Sequence, residues 1–285
     1  LCAKTEFKIE NIMEIIHIIL GKANPNRMNG VNKVVNSLAT YQTELGYNVS
    51  VWGITKNPVH DYPKRNYTTL LFKETSKFFL PDGIKNAISK KYLNTVFHFH
   101  GGFITQFILI SKIILNAGFR YVFTPHGSYN TIAMERSNWK KKIYINLFER
   151  AFVKNAKVLH FIGESEIAGA KKLFHLKKYQ LVPNGQNVEE ITIPKVSRNE
   201  NPIPIFGFCG RLDIKTKGLD ILLKGFAEYH VVKGFKGELW LIGDGDEKAE
   251  LVRLAQNLNI ANQVKFLGSL YGKEKIEKMN QLDYF

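Results

Sequence analysis

Between Gly210 and Gly218 the chain sets Arg211, Lys215 and Lys217 in a loop. An apolar run, Ile205, Phe206, Phe208 and Cys209, leads into it, and Leu219, Leu222, Leu223, Phe226 and Ala227 follow at helical spacing. A strand therefore feeds a helix through a short basic turn. Cations at such a junction suit phosphate, because the first N–H groups of a helix are unpaired and its dipole is positive there. Arg211 offers a two-pronged fork and Lys217 a mobile point charge. Without a ligand the same residues would be solvated surface cations.

A second unit of this kind follows. Glu238-Leu-Trp-Leu-Ile242 reads as a buried strand, closed by Gly243-Asp244-Gly245-Asp246-Glu247. A helix with Leu251, Val252, Leu254, Ala255 and Leu258 inward comes next, and Val264-Lys-Phe-Leu-Gly268 reads as a third strand. Strands alternating with helices imply a parallel sheet whose ligands lie outside the carboxyl ends of its strands, where Arg211 and Lys217 stand. Asp244 and Asp246 are spaced like a metal-holding pair, yet they lie inside a glycine loop and read as loop chemistry. Gly243-x-Gly245 fails as a dinucleotide loop, since Lys248 stands where the third glycine belongs.

Further upstream, His98 and His100 in Val96-Phe-His-Phe-His-Gly-Gly102 are two apart on a strand and share a face. No third ligand has the local spacing of a metal site. They read instead as lining a cleft at the strand end, or as hydrogen-bonded core histidines. Tyr121-Val-Phe-Thr-Pro-His-Gly-Ser-Tyr129 repeats the pattern, with His126 and Gly127 just beyond a strand. Near neutral pH an imidazole can donate or accept, which suits a hydroxyl or a transient charge.

The elements that must position these groups follow from periodicity. Ile12 to Leu20 reads as the first strand. A turn-rich loop from Gly21 through Asn29 and Gly30 leads to a helix with Val31, Val34, Val35, Leu38 and Leu45 inward, stopped by Gly46. Glycine at such a turn admits close approach of a ligand to backbone. Val49 to Ile54, Thr69 to Phe72, Lys157 to Phe161 and Tyr179 to Val182 are further strands, and Phe103 to Leu115 is a helix too short and too interrupted by Lys112 to span a membrane. Trp139 to Val153 is a basic amphipathic helix. Pro183-Asn184-Gly185 opens a polar stretch with the composition of a linker. The division is a first domain over 1–190, a linker over 191–204 and a second domain over 203–285.

The 285 residues allow about two domains, each with its own core. Two cysteines, Cys2 and Cys209, exclude a disulfide framework and fit a reducing compartment. The formal charge of +15 is unusual and implies an anionic partner.

Gly210-Arg211-Leu212 with Lys217-Gly218, Leu241-Ile242-Gly243-Asp244-Gly245 and Val264-Lys265-Phe266-Leu267-Gly268 together resemble the group 1 (family 4) retaining glycosyltransferases. The resemblance covers nearly the whole chain. It implies an α/β protein of the GT-B fold, two Rossmann-like domains with parallel sheets, the second incomplete. It further implies transfer of a sugar from a nucleotide-diphosphate donor to an acceptor hydroxyl with retention at the anomeric carbon, and no cofactor or metal. By the same resemblance Arg211 and Lys217 hold the diphosphate, and His126 stands close to the donor sugar. Gly210, Gly218, Gly243, Gly245, Phe266 and Leu267 form the donor side with Gly30, while Asn29, in place of a paired glycine, and His100 lie on the acceptor side. Two glutamates eight apart would follow Phe285 in a longer chain. Surface polysaccharide or glycolipid synthesis is the family-level expectation, with a sugar or lipid-linked acceptor. The protein would then be cytoplasmic and able to rest its basic helix on acidic lipid at the inner membrane face.

Two other classes fit the residues. A binding module for sugar nucleotide would bind without turnover. A nucleic-acid binder is suggested by charge alone; it would show steep salt dependence, and no nucleic-acid motif supports it.

Overall fold

Alternation along the strands decides which side of the first sheet is oily and which is polar. The computed structural model describes residues 13–24, 30–131, 134, 138–185 and 203–285. These residues form two compact units, the first ending at Gly185 and the second running from Ile203 to Phe285.

The first unit is built on seven strands: β1 (Glu14–Leu20), β2 (Asn48–Thr55), β3 (Thr68–Lys73), β4 (Thr95–His100), β5 (Arg120–Thr124), β6 (Val158–Phe161) and β7 (Tyr179–Leu181). Their order is β3-β2-β1-β4-β5-β6-β7, all parallel. The order reverses between β1 and β4, so a crevice opens at their carboxyl ends. On one face Phe97, Phe99, Tyr121, Phe123, Leu159 and Phe161 pack against the helix Thr105–Asn116 and neighbouring helices in the largest core. Each such ring buried contributes on the order of 2 kcal/mol. On the other face α1 (Gly30–Glu44) covers β1 and β2 through Val35 and Ala39, against Ile19, Val49 and Val51. Beyond that cover the same face carries His17 on β1, His98 and His100 on β4, Thr124 on β5 and His160 on β6.

Two expectations are corrected here. Helix α1 ends at Glu44, and Leu45 is 75% exposed in the turn that Gly46 makes at φ 88°; it packs outward. The basic helix is also not continuous, since a π turn at Ile145–Glu149 separates Asn138–Tyr144 from Arg150–Asn155. The extra residue in that turn rotates the faces. Of the apolar stripe Ile143, Ile145, Leu147, Phe148 and Phe152, only Ile145 and Phe152 are buried; Ile143, Leu147 and Phe148 are left outside, and Glu149 turns inward.

The second unit has β8 (Ile205–Cys209), β9 (Glu238–Ile242) and β10 (Val264–Gly268) in the parallel order β10-β9-β8. Tyr284 pairs in parallel with Phe206 on the edge of β8. Leu219, Leu223 and Phe226 of the helix Leu219–Ala227, and Leu251 and Ala255 of the helix Lys248–Asn257, close the core over Leu239 and Leu241. The linker expected over 191–204 lies outside the described residues except for Ile203 and Pro204. Among the described residues no helix is long and apolar enough to cross a membrane.

Candidate functional site

At the reversal point of the first sheet the histidines form a bonded column. His17 Nε2 meets Gln42 Oε1 of α1 at 2.7 Å, and His17 Nδ1 meets His100 Nε2 at 2.9 Å. His100 Nδ1 then meets His126 Nε2 at 2.9 Å, beyond the end of β5. A separate chain of bonds beside it runs from His98 Nε2 to Thr124 Oγ1 (2.7 Å), on to His160 Nδ1 (2.9 Å), and ends where His160 Nε2 donates to the Val182 carbonyl (2.7 Å). Burial lowers the pKa of His17 and of His126 to about 4, and that of His98 and His100 well below the usual range. All four rings are therefore neutral near pH 7.

Two buried carboxylates hold the loops that present this column. His126 has φ 53° and Phe103 φ 61°, the left-handed region that a side chain enters only when its surroundings impose it. Glu166 accepts the Gly127 N–H beside the first. Glu149, 1% exposed, accepts the Phe103 N–H at 3.1 Å and the Tyr129 hydroxyl at 2.6 Å. Burial raises the pKa of both acids, opposed by these hydrogen bonds. Gly102 N–H also donates to Ser128 Oγ at 3.2 Å, so the loops after β4 and β5 are tied to each other.

In the second unit glycine lets the strand ends interlock. A Cβ on Gly243, whose φ is 143°, would lie 1.8 Å from the Gly210 carbonyl oxygen, and one on Gly245 would lie 2.4 Å from that of Leu212. The loops after β8 and β9 are thus in backbone contact, joined by Gly210 N–H to Ile242 O and Leu212 N–H to Asp244 O. Gly243 N–H reaches Gly268 O at 2.7 Å, and the register shifts between Phe266 and Gly268, placing an irregularity at Leu267. Arg211 and Lys217 project from this joined edge as exposed side chains, with Arg211 3.1 Å from Asp213.

The helix start expected at Gly218 is more elaborate than the pattern shows. A one-turn helix, Ile214–Lys217, intervenes, with two of its first amides already taken: Asp213 accepts from Thr216 N–H and Glu247 from Ile214 N–H. Gly218 then caps that turn at φ 64° and starts the helix Leu219–Ala227. Lys215 and Lys217 are both carried by this turn.

Gly30 begins α1 with open space around its α-carbon, whereas Asn29 lies outside the described residues. His100 cannot serve an acceptor directly, because it is 2% exposed and both ring nitrogens are engaged; it supports His126. No local motif in the sequence singles out His17, Gln42, Glu149, Glu166 or His160. His17 lies 83 residues before its partner His100, so no local spacing could link them.

His17, His98 and His100 each bring a ring nitrogen within 4.8 Å of one another, a chemically suitable set for a transition-metal ion. The third ligand that local spacing does not supply thus comes from β1. Two nitrogens bound to a tetrahedral zinc at about 2.0–2.1 Å stand about 3.3 Å apart. The 2.9 Å between His17 and His100 is instead the separation of a shared proton, and their other nitrogens are bonded too.

Comparison with known proteins agrees with the two-unit layout. The family model described as Glycosyltransferase Family 4 matches residues 28–190, and that described as Glycosyl transferases group 1 matches residues 189–285. EpsF of Bacillus subtilis (strain 168), a glycosyltransferase by its name, is 26% identical over 213 residues, 71% of this chain; the chain spans about half of that relative, 53%. Among solved structures, Anabaena Alr3699/HepE in complex with UDP-glucose superposes with a TM-score of 0.68 at 14% identity, covering 95% of this chain and 72% of that one. A glycosyltransferase from Rickettsia africae ESF-5 gives 0.62 at 16% (96% and 72%). WaaG, a glycosyltransferase involved in lipopolysaccharide biosynthesis, gives 0.61 at 16% (94% and 73%). These likenesses show the GT-B fold. With more than half of its length matched by the first family model, this chain belongs to glycosyltransferase family 4, of the group 1 type.

Proposed function

We propose that the protein transfers a hexosyl group from a nucleotide-diphosphate sugar to an acceptor hydroxyl with retention at the anomeric carbon, without a metal. The observation that carries this reading is the glycine-joined edge of the second unit, from which Arg211 and Lys217 project beside the carboxyl ends of three parallel strands. As the sugar–phosphate bond breaks, the diphosphate gathers negative charge. Cations already in place stabilise that charge, and one such contact is worth about 2.7–4 kcal/mol in other enzymes. Uridine is the favoured nucleotide, since the HepE structures hold UDP-glucose and UDP. His126 serves the donor sugar, and Gly30 admits the ligand at the start of α1. The acceptor is a sugar or lipid-linked sugar of a surface polysaccharide or glycolipid pathway, in keeping with what the name of the WaaG structure says of that protein. The protein works in the cytoplasm, and its exposed Trp139, Leu147 and Phe148 amid lysines rest on acidic lipid.

Calorimetric titration with UDP, GDP and ADP, with and without EDTA, tests the donor site. UDP binding that survives EDTA and is lost in Arg211→Ala is the expected result. Absence of nucleotide binding both here and in a chain lengthened beyond Phe285 would refute it.

A further inference from the structure

We propose that Gln42 is a positioning residue: through His17 and His100 it fixes which nitrogen of His126 carries the proton, leaving His126 Nδ1 as a hydrogen-bond acceptor for a hydroxyl of the donor sugar. The inference rests on the donor-side placement of His126 proposed above.

The number of protons along the column sets this direction. A neutral imidazole has one N–H and one lone pair. The three rings are neutral near pH 7, because burial disfavours their charged forms. Each of the links Gln42–His17, His17–His100 and His100–His126 spans 2.7–2.9 Å and holds one proton. In series, therefore, all the protons must point the same way, and one end sets the direction for all. Gln42 presents its carbonyl oxygen to His17 Nε2, so His17 donates there and its Nδ1 accepts. His100 must then donate from Nε2 and accept at Nδ1, and His126 must donate from Nε2. What remains is the lone pair on His126 Nδ1, which has no protein partner among the described residues. A sugar hydroxyl can donate to it. The opposite orientation of the Gln42 amide would reverse every proton and make Nδ1 a donor, so the two arrangements are distinguishable.

The column also explains why this face of the sheet is polar. Four separate elements, α1, β1, β4 and the loop after β5, each contribute one member of the column. A single apolar replacement would leave a buried ring nitrogen without a partner.

The test uses the 285-residue chain labelled with 15N histidine. Long-range proton–nitrogen correlation distinguishes protonated from bare ring nitrogens, and His126 is assigned by its loss in His126→Asn. His17, His100 and His126 should all carry the proton on Nε2. In Gln42→Leu the direction is no longer fixed, and His126 should fall to a near-even mixture. An acceptor-ready fraction of about one half weakens UDP-glucose binding about twofold and leaves UDP unchanged. Gln42→Glu, which can only accept, should restore the wild-type pattern. A proton on His126 Nδ1 in the wild type would overturn the proposal. So would an unchanged His126 pattern in a Gln42→Leu chain whose amide spectrum shows the native fold, or stoichiometric zinc lost on His17→Gln. If His126→Ala leaves the ratio of UDP-glucose to UDP affinity unaltered, the sugar contact falls together with that placement, and the nitrogen pattern separately decides the role of Gln42.

Discussion

Replacing Gly243 by alanine should break the donor edge of the second unit. The new methyl would sit 1.8 Å from the Gly210 carbonyl oxygen and 2.9 Å from its carbon. An ordinary carbon–oxygen contact is about 3.3 Å, so the two loops must part by about 1.5 Å. Those atoms are backbone and cannot rotate away. Strain at φ 143° adds about 1–3 kcal/mol and overpacking another 1–3 kcal/mol. A loss of about 2–6 kcal/mol is large beside the 5–15 kcal/mol that holds a domain folded. With a urea slope of about 1–3 kcal/mol per molar, 4 kcal/mol moves the unfolding midpoint by at least about 1 M. Urea melts followed by Trp240 fluorescence, paired with calorimetric titration of UDP, would measure both effects. Gly30→Ala is the control: among the described residues nothing lies within 4 Å of its added carbon, so the melt should not move. If Gly243→Ala melts within about 0.5 M of the wild type and binds UDP normally, the close approach of the two loops is not what holds this edge.

Other tests bear on the first unit. Because His17 and His126 protonate near pH 4 when folded and near 6.5 when unfolded, the unfolded chain binds more protons between those values. Stability should therefore be full above about pH 6.5 and fall as pH drops toward 4; His17 alone contributes about 3 kcal/mol over that span. A flat urea midpoint between pH 6.5 and 4 would contradict neutral rings in the fold. Glu149 works against this slope, since its pKa is raised by burial and the folded chain holds its proton longer as pH climbs above 4.5. Glu149→Gln, which still offers an oxygen to Tyr129 and Phe103, should steepen the rise of stability from pH 4.5 upward, measured by the same melts. At the surface, Arg211→Ala should change stability by no more than about 1 kcal/mol, because its guanidinium is largely exposed and the buried Asp213 keeps the Thr216 N–H, while UDP affinity falls at least tenfold. Leu147→Ser with Phe148→Ser should reduce sedimentation with anionic vesicles and leave UDP binding intact.

Much of the architecture could be read before any coordinates. Strands end where turn glycines stand, as at Gly101, Gly243 and Gly268, and helices follow the 3.6-residue spacing of Leu219, Leu222, Leu223 and Phe226. The failures are local competitions. Leu45 fits the helical stripe, yet Gly46 turns the chain just before Leu45 could pack. The π turn at Ile145–Glu149 leaves no mark in a periodic pattern, so the inward Glu149 looks like one more charge on a basic helix.

The sequence by itself determined the alternation of strands and helices, the basic loop at Arg211 and Lys217, and the pairing of histidine with glycine at two strand ends. These are properties of neighbours along the chain, and short-range spacing carries them. Only the tertiary structure decided that His17 and Gln42 complete the column through His100 to His126, because parallel strands bring distant residues into register. The same holds for Gly243, where only the packed strand ends show that a side chain would collide with Gly210. His17 and His98 are register partners on β1 and β4 although 81 positions separate them, and that register brings His17 to His100, whose hydrogen bond joins histidines distant in sequence into one column.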